Sequence, residues 1–304
     1  MSKSDIVAVT KSLQGLATQL QEQLLKLFHP PEQKVIVLAG PTGVGKSSLA
    51  LRLAEKMGGE IVSADSIQVY RGMDIGTAKL PFNQRKGVPH HLIDIRDVCE
   101  PYNVVNFYQE AKHCCYDILR RGKVPIVAGG TGFYLHALIY GSPKGPPSNP
   151  KIRAILEAEA DKFGIEPLFE KLQEYDPAYA ATITPKDIHK VIRALEIIEI
   201  SAKPVSSFCW KTQEPEPFFD FRPWFLHMPR KILYEALDTR CDEMLQAGLL
   251  KEVVHLDRLG IRTNPTARQA IGYKQSLEYL ATGQTMKDYD EFVTIFKTAS
   301  RHLV

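Results

Sequence analysis

Between an apolar run and a helix-forming run the chain carries Gly40-Pro41-Thr42-Gly43-Val44-Gly45-Lys46-Ser47, the pattern G-x-x-x-x-G-K-S. Small residues let successive backbone N–H groups close around phosphate oxygens, and the helix that follows points its positive end at them. Lys46 adds a cation, and Ser47 adds a hydroxyl able to ligate Mg²⁺. Such a loop needs a strand to feed it and a helix to leave it. Lys34 to Gly40 is apolar, β-branched and ends in Gly-Pro, which reads as a buried strand. Ser47 to Met57 places Leu49, Leu53 and Ala54 on one helical face.

The rest of the chain extends this start. "EIVSADS" (Glu60 to Ser66), "HHLIDI" (His90 to Ile95) and "VPIVAGGTG" (Val124 to Gly132) read as further strands, with helical stretches such as Asn106 to Arg121 between them. Strands alternating with helices give a parallel sheet covered on both faces. The fold class is therefore α/β: a P-loop NTPase-like parallel sheet with helices on both faces, plus a small helical insertion domain. "GSPKGPPSNP" changes the composition abruptly before the insertion, and "FRPWFLHM" from Phe221 returns a strand-like run that rejoins the sheet. The expected organisation is an N-terminal helical extension over 1–33 and a first part of the core over 34–143. A helical insertion over 144–185 and the rest of the core with C-terminal helices over 186–304 complete it. Leu13, Leu16, Leu20, Leu24 and Leu27 recur at helical spacing in the extension, and Pro30 and Pro31 end that helix.

With 304 residues, 44% of them hydrophobic, the chain can bury a large core. A net charge of +3 is too small to argue for nucleic-acid binding by itself. Cys99, Cys114, Cys115, Cys209 and Cys241 form no C-x-x-C pair and no zinc spacing, so free thiols of a reducing cytoplasm are expected. No apolar run is long enough to span a membrane, and the N-terminus is a poor signal peptide. His90 and His91 suit core or hydrogen-bonding roles better than metal binding.

Loops of this type usually hold ATP or GTP, and a phosphoryl-transfer protein normally adds an apolar strand ending in a metal-binding Asp. Here the fourth strand ends as Ala128-Gly129-Gly130-Thr131, a hydroxyl where a carboxylate is expected. The carboxylate stands after the second strand, at Asp65. Strand C-termini of a parallel sheet open on one crevice, so Asp65, Thr131 and the loop are expected to face one another. A turn or helix cap is the plain alternative for Asp65. On the helix from about Arg230 to Gly248, Leu233, Leu237 and Met244 mark the apolar face, and Arg240 borders it. A cation there calls for a buried anion, unless it snorkels to solvent.

"GPTGVGKS", "ADSIQVYRGMDIGTAK", "PHHLID", "GGTGFYLHALIYG", "DPAYAATI", "RALEI" and "IGYKQ", in this order, resemble the tRNA dimethylallyltransferases. The resemblance runs from about Val35 to the last residues, "TASRHLV", where the family usually continues into a basic, aromatic tRNA-contacting segment. Either the chain is shortened there or that contact is missing. The family moves a dimethylallyl group from dimethylallyl diphosphate to N6 of an adenosine beside the anticodon. The resemblance therefore implies that the loop holds a prenyl diphosphate and that no phosphoryl group moves, which removes the need for the strand-end aspartate. It implies Asp65 as general base, Thr131 as a hydrogen-bonding group near the reacting centre, Lys46 and Arg240 as diphosphate cations, and Mg²⁺ on Ser47.

By the same resemblance Ser66, Ile67 and Gln68, with Asp65, contact the tRNA nucleotides. So do His189, Lys190 and Arg193 in "KDIHKVIRALEII", and Gln269, Gly272, Tyr273 and Lys274 in "RQAIGYK"; Gln269 replaces a usual basic residue. On the first of these helices Lys186, Lys190 and Arg193 form a charged stripe opposite Ile188, Val191, Leu195 and Ile198. Such a stripe is otherwise a solvated face. The expected partners are the anticodon stem-loop of tRNA and dimethylallyl diphosphate, with the protein acting as a monomer. The rival readings are a small-molecule P-loop kinase, an isopentenyltransferase acting on free AMP or ADP, and an RNA-binding P-loop protein without chemistry. The insertion and the basic helix favour a macromolecular acceptor. Retained Lys46, Ser47, Asp65, Thr131 and Arg240 argue for chemistry.

Overall fold

A computed structural model describes residues 33–208 and 219–304. The N-terminal helix expected from the leucine spacing, and Cys209, lie outside these residues. Five strands, β1 (Lys34–Ala39), β2 (Glu60–Ser63), β3 (His90–His91), β4 (Pro125–Ala128) and β5 (Asp220–Phe225), form one sheet in the order β3-β2-β4-β1-β5. Every pair is parallel, with Val37 of β1 opposite Val127 of β4 and Pro223 of β5. β5 is an edge strand, which is why Pro223, with no N–H to give a ladder, is tolerated in it.

The helices of the first half are α1 (Lys46–Met57), α2 (Val104–Arg120) and α3 (Gly132–Tyr140). Alternate residues of β1 feed two cores. Ile36 and Leu38 pack with Leu49 and Leu53 of α1. Val35 and Val37 belong to the core that holds Phe107 and Ile118 of α2. This is the covered parallel sheet that the alternation of runs implied. The third strand is shorter than expected. Leu92 and Asp94 take left-handed backbone (φ 61° and 57°), so the ladder stops after His91.

The described chain divides into two compact units. One holds the described residues up to Ile139 and those of Glu216–Val304; the other holds those of Tyr140–Pro215. The second unit contains α4 (Pro150–Phe163), α5 (Glu166–Tyr175), the short α6 (Pro177–Ala180) and α7 (Ile188–Ser201). The expected boundary fell at 185; by contacts α7 groups with the insertion helices. Val191, Ile192 and Leu195 of α7 share one core with Leu156, Leu168 and Leu172 of α4 and α5. At its centre Glu196 is fully buried and accepts from Arg153, Arg193, Ser148 and the Asn149 amide.

The first unit is completed by α8 (Arg230–Gln246), α9 (Leu249–Arg258), α10 (Tyr273–Tyr279) and α11 (Met286–His302). Leu233, Leu237 and Met244 are buried, as the spacing on α8 required. His90 Nδ1 meets the Val88 carbonyl at 2.8 Å and His91 Nε2 meets Glu60 at 2.7 Å, hydrogen-bonding roles for both histidines. Cys99, Cys114, Cys115 and Cys241 are free thiols. Among the described residues no helix is long and apolar enough to cross a membrane.

Candidate active site

The phosphate loop joins β1 to α1 at the point in the sheet where the strand order turns. Gly40, Gly43 and Gly45 take positive φ (146°, 81° and 93°), which side-chain-bearing residues rarely adopt. A Cβ on Gly40 would come within 2.6 Å of the Leu226 carbonyl oxygen beyond β5. The head of α1 has no side-chain cap and no acidic residue in its first turn, and Gly45 and Ser47 are exposed. Its first amides therefore point outward with no side chain capping them, the arrangement an anion completes.

Lys46 folds back over the loop and donates to the carbonyls of Gly40 (2.9 Å) and Pro41 (2.7 Å). Burial lowers its pKa to about 8, against the raising influence of Asp65, and Arg240 lowers it further. Gly130 at the end of β4 lies next to this ammonium: a Cβ there would be 3.8 Å from Nζ.

The ends of β2 and β4 are locked to each other. The Ala64 amide donates to the Ala128 carbonyl (2.9 Å), and the Thr131 amide to the Ala64 carbonyl (3.3 Å). A Cβ on Gly129 would be 2.1 Å from the Ala64 carbonyl oxygen, so only glycine lets the two strand ends approach this closely. Thr131 Oγ1 accepts the Ser66 amide at 3.1 Å. Asp65 Oδ1 accepts the amides of Ile67 (2.9 Å) and Gln68 (3.2 Å). The turn-capping reading of Asp65 is thus true of one oxygen. Among the described residues Oδ2 takes no hydrogen bond and is available to another partner.

Arg240 reaches the same crevice from α8. It is half-buried, its pKa is lowered by burial, and the charge nearest to it in effect is Asp65. Among the described residues it has no ion pair; its only hydrogen bond goes to the Thr77 carbonyl at 3.4 Å. Gln68 Nε2 donates to that same carbonyl at 3.2 Å. The site therefore collects two cations, one carboxylate and an uncapped helix start. Beside the loop lies a cavity of about 420 Å³ lined by Gly40, Pro41, Gly130, Phe225 and Leu233; Asp65 and Thr131 are outside its lining.

Two buried or half-buried charges that sequence reasoning missed tie segments of the first unit together. Lys79 is buried and donates to Asp74 (2.7 Å), Asp94 (2.6 Å) and the Tyr70 carbonyl (2.9 Å), which ties the "MDIGTAK" segment to "HHLID". Glu252 of α9 accepts from the same segment. Both motifs were visible; their mutual pairing was not.

The expected tRNA contacts divide. Lys186, His189, Lys190, Gln269 and Lys274 are exposed. Gly272 and Tyr273 are buried: the Tyr273 hydroxyl donates to Glu252 at 2.6 Å, and the Gly272 amide to Gln275 at 2.8 Å. Arg193 is engaged by Glu196 (2.7 Å) and by the Pro146 carbonyl (2.7 Å), which makes it a structural member of the insertion. Ile188 is 46% exposed and is not part of the α7 core face.

A parallel α/β sheet with a phosphate loop after its first strand and a carboxylate, Asp65, after its second is the architecture of a P-loop α/β protein with a crevice at its strand ends. The profile of the IPP transferases matches residues 68–304, and that of the isopentenyl transferases matches 33–100. The tRNA dimethylallyltransferase of Protochlamydia amoebophila is 54% identical over 288 residues, 95% of this chain and 84% of that protein. That of Chlamydia pneumoniae is 48% identical over 283 residues, 93% and 82% of the two chains. Among solved structures, a eukaryotic dimethylallyltransferase acting on tRNA superposes with a TM-score of 0.74 at 34% identity, covering 89% of this chain and 68% of that one. The tRNA isopentenylpyrophosphate transferase of Bacillus halodurans gives 0.61 at 37% identity, with 89% and 84% covered. The chain belongs to the tRNA dimethylallyltransferase family.

Proposed function

We propose that the crevice at the strand ends carries out the family's reaction: dimethylallyl transfer from dimethylallyl diphosphate to N6 of the adenosine beside the tRNA anticodon, with release of diphosphate. The observation that supports this site is the isolated Asp65 carboxylate, with Oδ2 open, within electrostatic reach of Lys46 and Arg240. As the carbon–oxygen bond breaks, negative charge grows on the departing diphosphate. Lys46, Arg240 and the loop amides are fixed cations and dipoles placed for it. N6 of adenine is a weak nucleophile because its lone pair is delocalised. It forms the new nitrogen–carbon bond as Asp65 accepts its proton.

Thr131 holds the turn that aims Asp65, through the Ser66 amide. Ser66, Ile67 and Gln68 line the entry of an adenine extruded from the anticodon stack. Exposed Lys186, His189, Lys190, Gln269 and Lys274 contact the tRNA backbone. The protein acts as a cytoplasmic monomer.

Ser47 Oγ, exposed at the head of α1, is the ligand offered to Mg²⁺. A hydroxyl oxygen is a hard donor of the kind Mg²⁺ takes, so Ser47 fits as a single protein ligand at the phosphate site. When bound, Mg²⁺ supplies charge neutralisation at the leaving diphosphate.

The test offers labelled dimethylallyl diphosphate with tRNA, AMP or ATP as acceptor, and γ-labelled ATP separately. Label is expected in tRNA only. ATP-dependent phosphorylation of a small acceptor would overturn the reading.

A further inference from the structure

One carboxylate from α9 holds the backbone that aims two site residues. Glu252 sits in the first turn of α9, just after Gly248 (φ 100°). Its Oε2 accepts the amides of Asp74 (3.1 Å) and Ile75 (2.8 Å); its Oε1 accepts the amide of Gly76 (3.2 Å) and the Tyr273 hydroxyl (2.6 Å). Three consecutive amides on one carboxylate fix a segment far more tightly than one hydrogen bond would, and each bond is charge-assisted. The Tyr273 ring closes the arrangement: a Cβ on Gly76 would be 2.5 Å from it, so the ring packs directly on the Gly76 backbone.

The next residue is Thr77. Its hydroxyl donates to the Met73 carbonyl (2.6 Å), and its own carbonyl takes both Gln68 Nε2 and Arg240 Nη2. That carbonyl is the only hydrogen-bond acceptor Arg240 has among the described residues, and the Arg240 side chain has many rotamers to lose. We infer that Glu252, seconded by Tyr273, is a positioning residue that orients Arg240 and Gln68 through the Thr77 carbonyl. The inference rests on the reading of Arg240 as a diphosphate cation.

The test measures dimethylallyl diphosphate affinity, single-turnover rate and melting temperature for Glu252→Gln, Arg240→Ala and the double variant. Glutamine keeps the size but presents an amide N–H₂ to backbone donors, so the segment loses part of its hold. Glu252→Gln is expected to slow the single turnover by roughly 10- to 10²-fold, the scale on which small misplacements act. If Glu252 acts through Arg240, the double variant loses less than the product of the two single losses. Multiplicative losses in the double variant, or an unchanged rate in Glu252→Gln, would overturn the positioning role. Should Glu252→Gln fail to fold, Tyr273→Phe removes one donor to the same carboxylate and is put through the same cycle with the same two outcomes. If Arg240→Ala binds the donor as tightly as the parent protein, the diphosphate reading of Arg240 fails instead, and the two failures are told apart.

Discussion

Lys46 donates its ammonium to the Pro41 carbonyl at 2.7 Å and so lies folded along its own phosphate loop. Binding a diphosphate exchanges two neutral carbonyl acceptors for charged oxygens. Burial, set against Asp65 and helped by Arg240, holds this amine at about 8, below the ordinary 10.5. Below pH 8 it is charged and ready for an anion. Above pH 8 the free protein loses the proton, and a diphosphate held beside this amine as proposed favours the charged form, so binding is expected to take a proton up. Affinity for dimethylallyl diphosphate should therefore fall as pH rises through about 8. Calorimetry at pH 8.5 in two buffers of different ionisation enthalpy should register that uptake. Affinity flat from pH 7 to 9.5 would remove Lys46 from the binding step.

Asp65→Asn keeps the Oδ1 bonds to the Ile67 and Gln68 amides but cannot take a proton from N6. Its single-turnover rate with tRNA should drop by roughly 10²-fold or more. Melting temperature and donor affinity should stay near those of the parent. A rate within a few-fold of the parent at saturating substrates would leave Asp65 with its capping role alone.

Lys190 and Arg193 lie on one helix yet should behave differently. The Lys190–Asp187 pair lies at the solvent surface, where such pairs contribute little to stability. Lys190→Ala should leave the melting temperature nearly unchanged, weaken tRNA binding and lower the salt-dependence slope by about one unit. Arg193→Ala removes one of two guanidinium partners of buried Glu196, and should cost about 1–3 kcal/mol of stability. Equal melting temperatures for the two variants would contradict the division between solvated and structural cations.

Glu196 also sets a pH window. Burial opposes its ionisation, but Arg193, Arg153, Ser148 and the Asn149 amide outweigh that and bring its pKa from 4.5 to about 2. A depressed carboxylate contributes stability above its unfolded value and loses it as pH falls through the folded one. Acid should therefore weaken the insertion between about pH 4.5 and 2. Glu196→Gln should flatten stability across that window while lowering it at neutral pH. Urea melts followed over the same range would show either slope.

The sequence by itself determined the strand–loop–helix unit, the parallel sheet, Lys46 and Ser47 at the loop, and Asp65 and Thr131 at strand ends on one crevice. Each of these follows from local pattern: an apolar run, a glycine-rich turn, a helical period, and the rule that parallel strands end together. Only the tertiary structure decided what pairs across distance. Gly76 and Glu252 are 176 positions apart, and neither shows its partner in its own neighbourhood. The spacing of Val191 and Leu195 announced an apolar face on α7 but not whose core it enters, and α7 went to the insertion. Tyr273 sits in a motif whose family role suggested contact, yet its ring is buried on Gly76. Periodicity reports which side of an element avoids water. It carries no information about which other element supplies the covering surface, and that is settled by packing and by the need of each buried polar group for a partner.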